Sequence, residues 1–336
     1  MISFKSDYAQ GAHPRILQAL QNANAEHNDS YCFDAHCTRA VELIRQRLGQ
    51  DHFVTFMPGG TVANLTVISH FLRQHQAVIS AVTGHVFTHE TGAIEATGHK
   101  VVACPSNDGK LTPALIQNAL DEHHHVPYTV QPKMVYISQT TEWGTVYTKD
   151  ELTAISRFCR EHELYLYMDG ARLGCALAAL GGELTLADLA DMTDAFTIGG
   201  TKNGALFGEA VVIPNAALAQ DFKFSMRQKG GLLARGCVLG IQFEELFSDD
   251  LYIELAAHAN RMAKILADGL TKAGYKFHVQ PQTNQLFVHI ENNLLKRLSE
   301  RYMITVWEKS ETHTLVRLMT SWAIKEEDVR EFLAQL

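Results

Sequence analysis

Short apolar runs alternate with amphipathic stretches along the first two thirds of the chain. The runs are Ala77-Val78-Ile79-Ser80, Lys100-Val101-Val102-Ala103, Met134-Val135-Tyr136-Ile137, Leu164-Tyr165-Leu166-Tyr167-Met168, Ala195-Phe196-Thr197-Ile198 and Ala210-Val211-Val212-Ile213. Most are rich in β-branched or aromatic residues, and their near-continuous apolarity is that of strands buried on both faces. Helical patterns lie between them. Thr148 with Glu151 three residues on forms a capping box, which starts a helix running to His162. Strands alternating with helices predict an α/β fold with a mostly parallel sheet covered on both sides. The run at Ala210 follows the one at Ala195 closely enough for a hairpin, so the last strand is expected to be antiparallel.

After about residue 250 the texture changes. Leu251 to Ala273 reads as one long amphipathic helix, with Leu255, Met262, Ile265, Leu266 and Leu270 at helical spacing. Strands at Phe287–Ile290 and Leu315–Met319 follow, with helices expected over Asn293–Tyr302 and Lys325–Leu336. The organisation expected is an N-terminal segment and large domain over 1–250 and a small C-terminal α+β domain over 251–336.

Composition narrows the class. A chain of 336 residues with 46% hydrophobic and 20% charged residues is ordinary for a folded protein. A net charge of -8 without a Lys/Arg cluster argues against a nucleic-acid partner. The six cysteines include no CxxC pair, which suits reduced thiols better than disulfides or a metal centre. No apolar leader follows Met1, and no run approaches ~18 apolar residues, so neither secretion nor a membrane is expected. The reading is a cytoplasmic protein.

Candidate chemistry collects where strands end. Asp169 follows the run ending at Met168, and Lys202 follows the run ending at Ile198, about one βαβ unit later. Both should emerge at the carboxyl edge of the sheet, where open α/β sheets bind ligands. Pyridoxal phosphate needs such a pair: a lysine to condense with its aldehyde and an acid to keep its ring nitrogen protonated. A turn-forming Asp and a surface Lys would give the same local sequence. Gly59-Gly60-Thr61 opens a helix and could cradle a phosphate, although it equally suits an ordinary helix entry. His85 lies just past the strand ending near Val82, where its ring could stack on the pyridine and move protons. His85 and His89 also stand four residues apart, as metal ligands can, but no further ligand accompanies them and no metal is expected.

Taken in order, the segments Phe4-Lys5-Ser6-Asp7-Tyr8, Gly59-Gly60-Thr61, His89 to Lys100, Asp169-Gly170-Ala171-Arg172, Gly200-Thr201-Lys202 and Val316 to Trp322 cover most of the chain. With them the chain resembles the threonine aldolase and β-eliminating lyase family. Those are pyridoxal-phosphate enzymes of the aspartate-aminotransferase-like fold (fold type I). The resemblance implies that Lys202 binds the cofactor's aldehyde, Asp169 its ring nitrogen, His85 its ring face, and Gly60 and Thr61 its phosphate. It assigns Ser6, Arg172 and Arg317 to the substrate carboxylate, Arg172 also lining the cofactor site. It implies an enzyme of the low-specificity threonine aldolase type, cleaving L-threonine, L-allo-threonine or a related β-hydroxy-α-amino acid to glycine and an aldehyde. β-Elimination or transamination of another amino acid would use the same residues, and a non-catalytic relative would keep the fold alone. It further implies a homodimer or homotetramer with the site at the subunit interface. There Arg235, or more weakly Lys229, would reach a neighbour's phosphate.

One departure stands out. Better-known bacterial threonine aldolases carry Asn-Thr-His after the third strand, and that His contacts the substrate hydroxyl. This chain has Ser138-Gln139-Thr140-Thr141-Glu142-Trp143-Gly144-Thr145 there. Thr141 cannot act as an imidazole. The base is left open among His85, a water held by Glu90, and Glu142, and Trp143 either reshapes the pocket or is simply buried.

Overall fold

The computed structural model describes residues 1–336. Seven strands form one sheet: β1 (Phe53–Met57), β2 (Gln76–Ala81), β3 (Val101–Cys104), β4 (Gln131–Ser138), β5 (Tyr165–Asp169), β6 (Ala195–Gly199) and β7 (Glu209–Ile213). Their spatial order is β1-β7-β6-β5-β4-β2-β3. All pairings from β3 to β6 are parallel, and β7 runs antiparallel to both β6 and β1. The expected hairpin therefore forms.

The alternation of side chains along a strand divides the apolar residues between two cores. Phe196, Ile198, Ala210 and Val212 enter a cluster of 44 buried residues on one face. Ala195, Val211 and Ile213 enter a cluster of 18 on the other. Each large side chain fully buried in this way stabilises the fold by roughly 1.5–3 kcal/mol. The capping box at Thr148 is present and starts the helix Lys149–Glu161.

A third core joins Met262, Leu266 and Leu270 of the long helix Leu251–Lys272 to a separate antiparallel sheet. That sheet has the order β9-β10-β8, with β8 (Gln285–Glu291), β9 (Thr305–Lys309) and β10 (His313–Met319). Phe4 also belongs to this core, and Ile2–Ser3 pairs in parallel with Tyr302–Met303. The start of the chain is thus built into the C-terminal unit. That pairing also explains why the helix expected to reach Tyr302 stops at Leu298. The last helix is likewise shorter than expected, Glu326–Leu333.

Two strands lie outside the runs read from the sequence. β1 sits at a sheet edge, and β9 is an edge strand with an irregularity between Val306 and Glu308 and mostly exposed side chains.

One sheet edge collects the functional segments. Strands β1, β4, β5 and β6 end there, at Met57, Ser138, Asp169 and Gly199, and antiparallel β7 begins there at Glu209. Gly170 lets two of these ends close together, because a Cβ at this position would lie 1.9 Å from the Thr197 carbonyl oxygen. None of the helices is long and apolar enough to cross a membrane.

Candidate active site

Asp169 ends β5 and is 5% exposed. Its carboxylate accepts hydrogen bonds from Asn64 Nδ2 (2.9 Å), Tyr136 Oη (2.7 Å) and the Ala171 amide (2.9 Å). Burial alone would raise its pKa. The nearby His85 and Lys202 and the bonds from Asn64 and Tyr136 outweigh that and hold it below the usual carboxylate range. Asp169 is therefore a fixed negative charge at the floor of the site, as a protonated ring nitrogen requires.

Asn64 is the hub of this floor and carried no recognisable sequence signal. Its amide also donates to Glu90 Oε1 (2.7 Å), and its own oxygen accepts from Tyr167 Oη (2.7 Å). Glu90 Oε1 in turn bonds His85 Nδ1 (2.8 Å). The chain Asp169–Asn64–Glu90–His85 thus fixes the imidazole over the floor. His85 is stacked on His89 as well, with ring centroids 5.6 Å apart and planes at 17°.

Pro58, Gly59, Gly60 and Thr61 line the same cavity, of about 320 Å³, together with Asp169, His85, Thr201, Lys202 and Glu209. Gly60 begins a helix of 12 residues, so unpaired N–H groups face the cavity. A Cβ on Gly59 or Gly60 would meet no atom within 4 Å, so the space over this helix end is open. That room, with the donors beneath it, fits a phosphate.

Lys202 sits in the turn between β6 and β7. Gly208 shapes that turn: its φ is +116°, and its carbonyl accepts from the Gly200 and Thr201 amides at 3.0 and 3.2 Å. Burial, and then the Arg172 charge, lower the Lys202 pKa, while Asp7, Asp169 and Glu209 oppose that. A lowered pKa leaves more of the amine neutral and able to attack an aldehyde.

Glu209 was not singled out from the sequence. It is 4% exposed, Oε1 accepts from Thr201 Oγ1 at 3.3 Å, and Oε2 has no partner. Burial pushes its pKa up to about 8, against the pull of Lys202. In the unfolded chain the same carboxyl ionises near 4.5. Between those values the folded cofactor-free protein keeps a proton that the unfolded chain has released. Its stability therefore falls as pH rises through that window. Glu209→Gln should melt higher than the parent above pH 8, by the equivalent of ~2–4 kcal/mol, and equally at pH 4. Thermal melts of the cofactor-free proteins at the two pH values check this, and a gap that does not depend on pH would refute it.

A second cavity, of about 460 Å³, adjoins the first and shares Tyr8, His85, Glu142, Arg172 and Lys202 with it. His89, Gln285, Thr305, Val306, Trp307 and Arg317 complete it. Arg317, on β10, lies over the Trp307 ring at 5.3 Å, and its Nε is buried without a partner. Burial and the Arg172 charge lower its pKa to about 10, so it remains a cation. A half-buried guanidinium whose buried Nε has no hydrogen-bond partner is suited to a carboxylate.

The structure brings together Lys202, Asp169, His85, Gly60, Thr61, Arg172 and Arg317. Arg172 is already engaged: its Nε and Nη2 hold the buried Asp7 at 2.6 and 3.0 Å, and Asn284 donates to Asp7 at 3.0 Å. Ser6 is half-buried, lines neither cavity and makes no side-chain hydrogen bond, whereas its neighbours Asp7 and Tyr8 reach the site. Arg235 is exposed and Lys229 half-buried, both outside these cavities. Thr141 faces away, bonding Thr145 Oγ1 (2.7 Å) and the Asp108 carbonyl (3.4 Å). Trp143 packs on His278, Phe287 and Trp307 at 4.6, 4.7 and 5.5 Å, behind the cavity wall. All six cysteines are free.

A cavity at the strand ends of a doubly covered sheet, floored by a fixed carboxylate and holding a buried lysine, is the arrangement of the aspartate-aminotransferase fold. A Thermus thermophilus aspartate aminotransferase superposes with a TM-score of 0.72 over 100% of this chain and 90% of its own, at 16% identity. The beta-eliminating lyase family model matches residues 3–293, and the chain belongs to that family. A curated low specificity L-threonine aldolase of Pseudomonas aeruginosa is 34% identical, over 98% of this chain and 95% of its own. A Leishmania major threonine aldolase structure is 46% identical with a TM-score of 0.98, over 99% and 98% of the two chains. Family and fold together imply dependence on pyridoxal phosphate.

Proposed function

We propose that the protein is an aldolase of the low-specificity threonine type. It would cleave L-threonine, L-allo-threonine or a related β-hydroxy-α-amino acid to glycine and an aldehyde. The similarity to threonine aldolases along the whole chain supports this reaction. The carrying observation in the site is the half-buried Arg317, whose buried Nε has no partner and which lines one cavity with Lys202.

Bound pyridoxal phosphate supplies an aldehyde for the substrate amine and a protonated ring that accepts the electron pair released at Cα. In this reading the chain's residues divide the remaining work. The Gly59–Thr61 helix end holds the phosphate, Asp169 the ring nitrogen, His85 the ring face and Lys202 the aldehyde. Arg317 binds the substrate carboxylate, joined by the guanidinium nitrogen that Arg172 does not give to Asp7. Fixing the carboxylate decides which bond at Cα stands perpendicular to the ring, and so which bond breaks. The chain is also proposed to form a homo-oligomer in which the exposed Arg235 reaches a neighbour's phosphate; exposed Phe33 and Phe224 favour such an interface. Light scattering that gave a monomer would remove that part.

Purified protein loaded with the cofactor is expected to release aldehyde and glycine in equal amounts from L-threonine, L-allo-threonine and L-phenylserine. A keto acid with ammonia, and no aldehyde, would replace this reading by β-elimination.

A further inference from the structure

Retro-aldol cleavage needs a group that takes the proton from the substrate's β-hydroxyl as Cα–Cβ breaks. Resting on the aldolase reading, we propose that Glu142 is that general base. Glu142 lines both cavities and so stands where they join, together with His85, Lys202 and Arg172. Its position is built by the strand end: β4 finishes at Ser138, whose hydroxyl donates to Glu142 Oε1 at 2.7 Å. The His85 backbone N–H donates to the same oxygen at 2.9 Å. Both bonds fall on Oε1 and turn the carboxyl toward the shared space, so Oε2 is the oxygen left for a substrate.

The rival groups are otherwise occupied or poorly placed. His85 gives Nδ1 to Glu90 and its face to the cofactor ring. Glu90 lines neither cavity: its Oε1 is held by Asn64 and His85, and its Oε2 is buried without a partner, away from the substrate space. His89 lines only the outer cavity, and its Nδ1 is engaged with the Thr88 hydroxyl. Thr141 points into the turn at Asp108.

Groups that set the charge around Glu142 are His85 and His89 beside it, Tyr136 and Asp169 below, Tyr147 behind, and Tyr8, Lys202, Arg172 and Arg317 across the cavities. Burial raises its pKa, and the Ser138 hydroxyl and its own amide offset part of the rise. A carboxylate of raised pKa is a stronger base than a surface glutamate and still ionises. In the cleavage direction the O–H electron pair becomes the second C–O bond of the aldehyde. The Cα–Cβ pair would be taken up by the bound cofactor, and the proton rests on Glu142 until solvent or Cα takes it.

The test uses Glu142→Gln as the cofactor-loaded enzyme, with four readouts. The visible cofactor absorbance and the glycine affinity are expected within about threefold of the parent. Exchange of the glycine Cα proton in D₂O, which needs no hydroxyl base, should persist to the same extent. Threonine cleavage should fall by about 10²–10⁴-fold. The acid limb of kcat/KM for cleavage should vanish. Ser138→Ala, which removes a bond favouring the carboxylate, should move that limb to higher pH while keeping the side chain. His89→Asn should leave the limb in place. Cleavage by Glu142→Gln within threefold of the parent would overturn the proposal. Equal loss of glycine exchange and cleavage would also do so, since it would mean that Glu142 only props His85. If the parent itself releases no aldehyde, the aldolase reading fails, and the base assignment fails with it.

Discussion

Replacing Lys202 by alanine is expected to lower turnover by ~10⁴-fold or more, about 5 kcal/mol, and to abolish the visible absorbance of a lysine-bound cofactor. The amine is held in a turn whose shape depends on the Gly208 backbone, with Asp169 and Glu209 close by. No other lysine lines either cavity, so no neighbour can stand in for it. The phosphate cradle is untouched, and the variant should still bind the cofactor non-covalently. Equilibrium dialysis with the absorbance spectrum separates the two effects. Near-native turnover would refute the assignment of Lys202.

The second large effect is expected from Asp169→Asn. Asparagine has nearly the same shape, and its oxygen can still accept from Asn64 and Tyr136. What goes is the charge that His85, Lys202 and those two bonds hold below the usual carboxylate range. Without it a protonated ring nitrogen would be a buried cation with no counter-ion, a loss worth about 3–5 kcal/mol. That predicts kcat lower by roughly 10²–10⁴-fold with cofactor still bound. Unchanged kcat in steady-state assays would sink the idea that this carboxylate keeps the ring an electron sink. The Asn64 bonds to Asp169 and Glu90 make the two carboxylates a single unit, so a partial disturbance of His85 is expected too.

Several features could be read before any folding was considered. The buried runs from Ala77 to Ile213 have one periodicity and one physical reason, burial on both faces, and they placed Asp169 and Lys202 at strand ends. The capping box at Thr148 is a local device and formed as local chemistry demands. β1 and β9 lie outside the predicted runs for different reasons: β9 is an edge strand with a mixed, mostly exposed pattern, whereas β1 is a buried apolar run, Phe53–Met57, that passes almost directly into the Gly59-Gly60-Thr61 helix entry. Helix ends near Tyr302 were misjudged because a pairing with Ile2–Ser3, some 300 residues away, decides them.

The site divides along the same line. Residue type and strand-end position alone nominated the lysine, the aspartate, the glycine pair and the histidine, because each has a chemistry that its neighbours in sequence advertise. Asn64, Glu90, Glu142 and Glu209 owe their importance to what surrounds them. An amide becomes a hub only when two carboxylates converge on it, and a glutamate acquires a raised pKa only when packing removes its water. Arg172 and Arg317 differ for the same reason: one finds Asp7, and the other stacks on Trp307 with its Nε left without a hydrogen-bond partner. The sequence by itself therefore determined six of the seven strands of the large sheet, their order along the chain and the cofactor-binding pair, all set by local periodicity and side-chain chemistry. Tertiary structure alone decided the partners, charges and free valences of the site, since burial and proximity between distant segments create them.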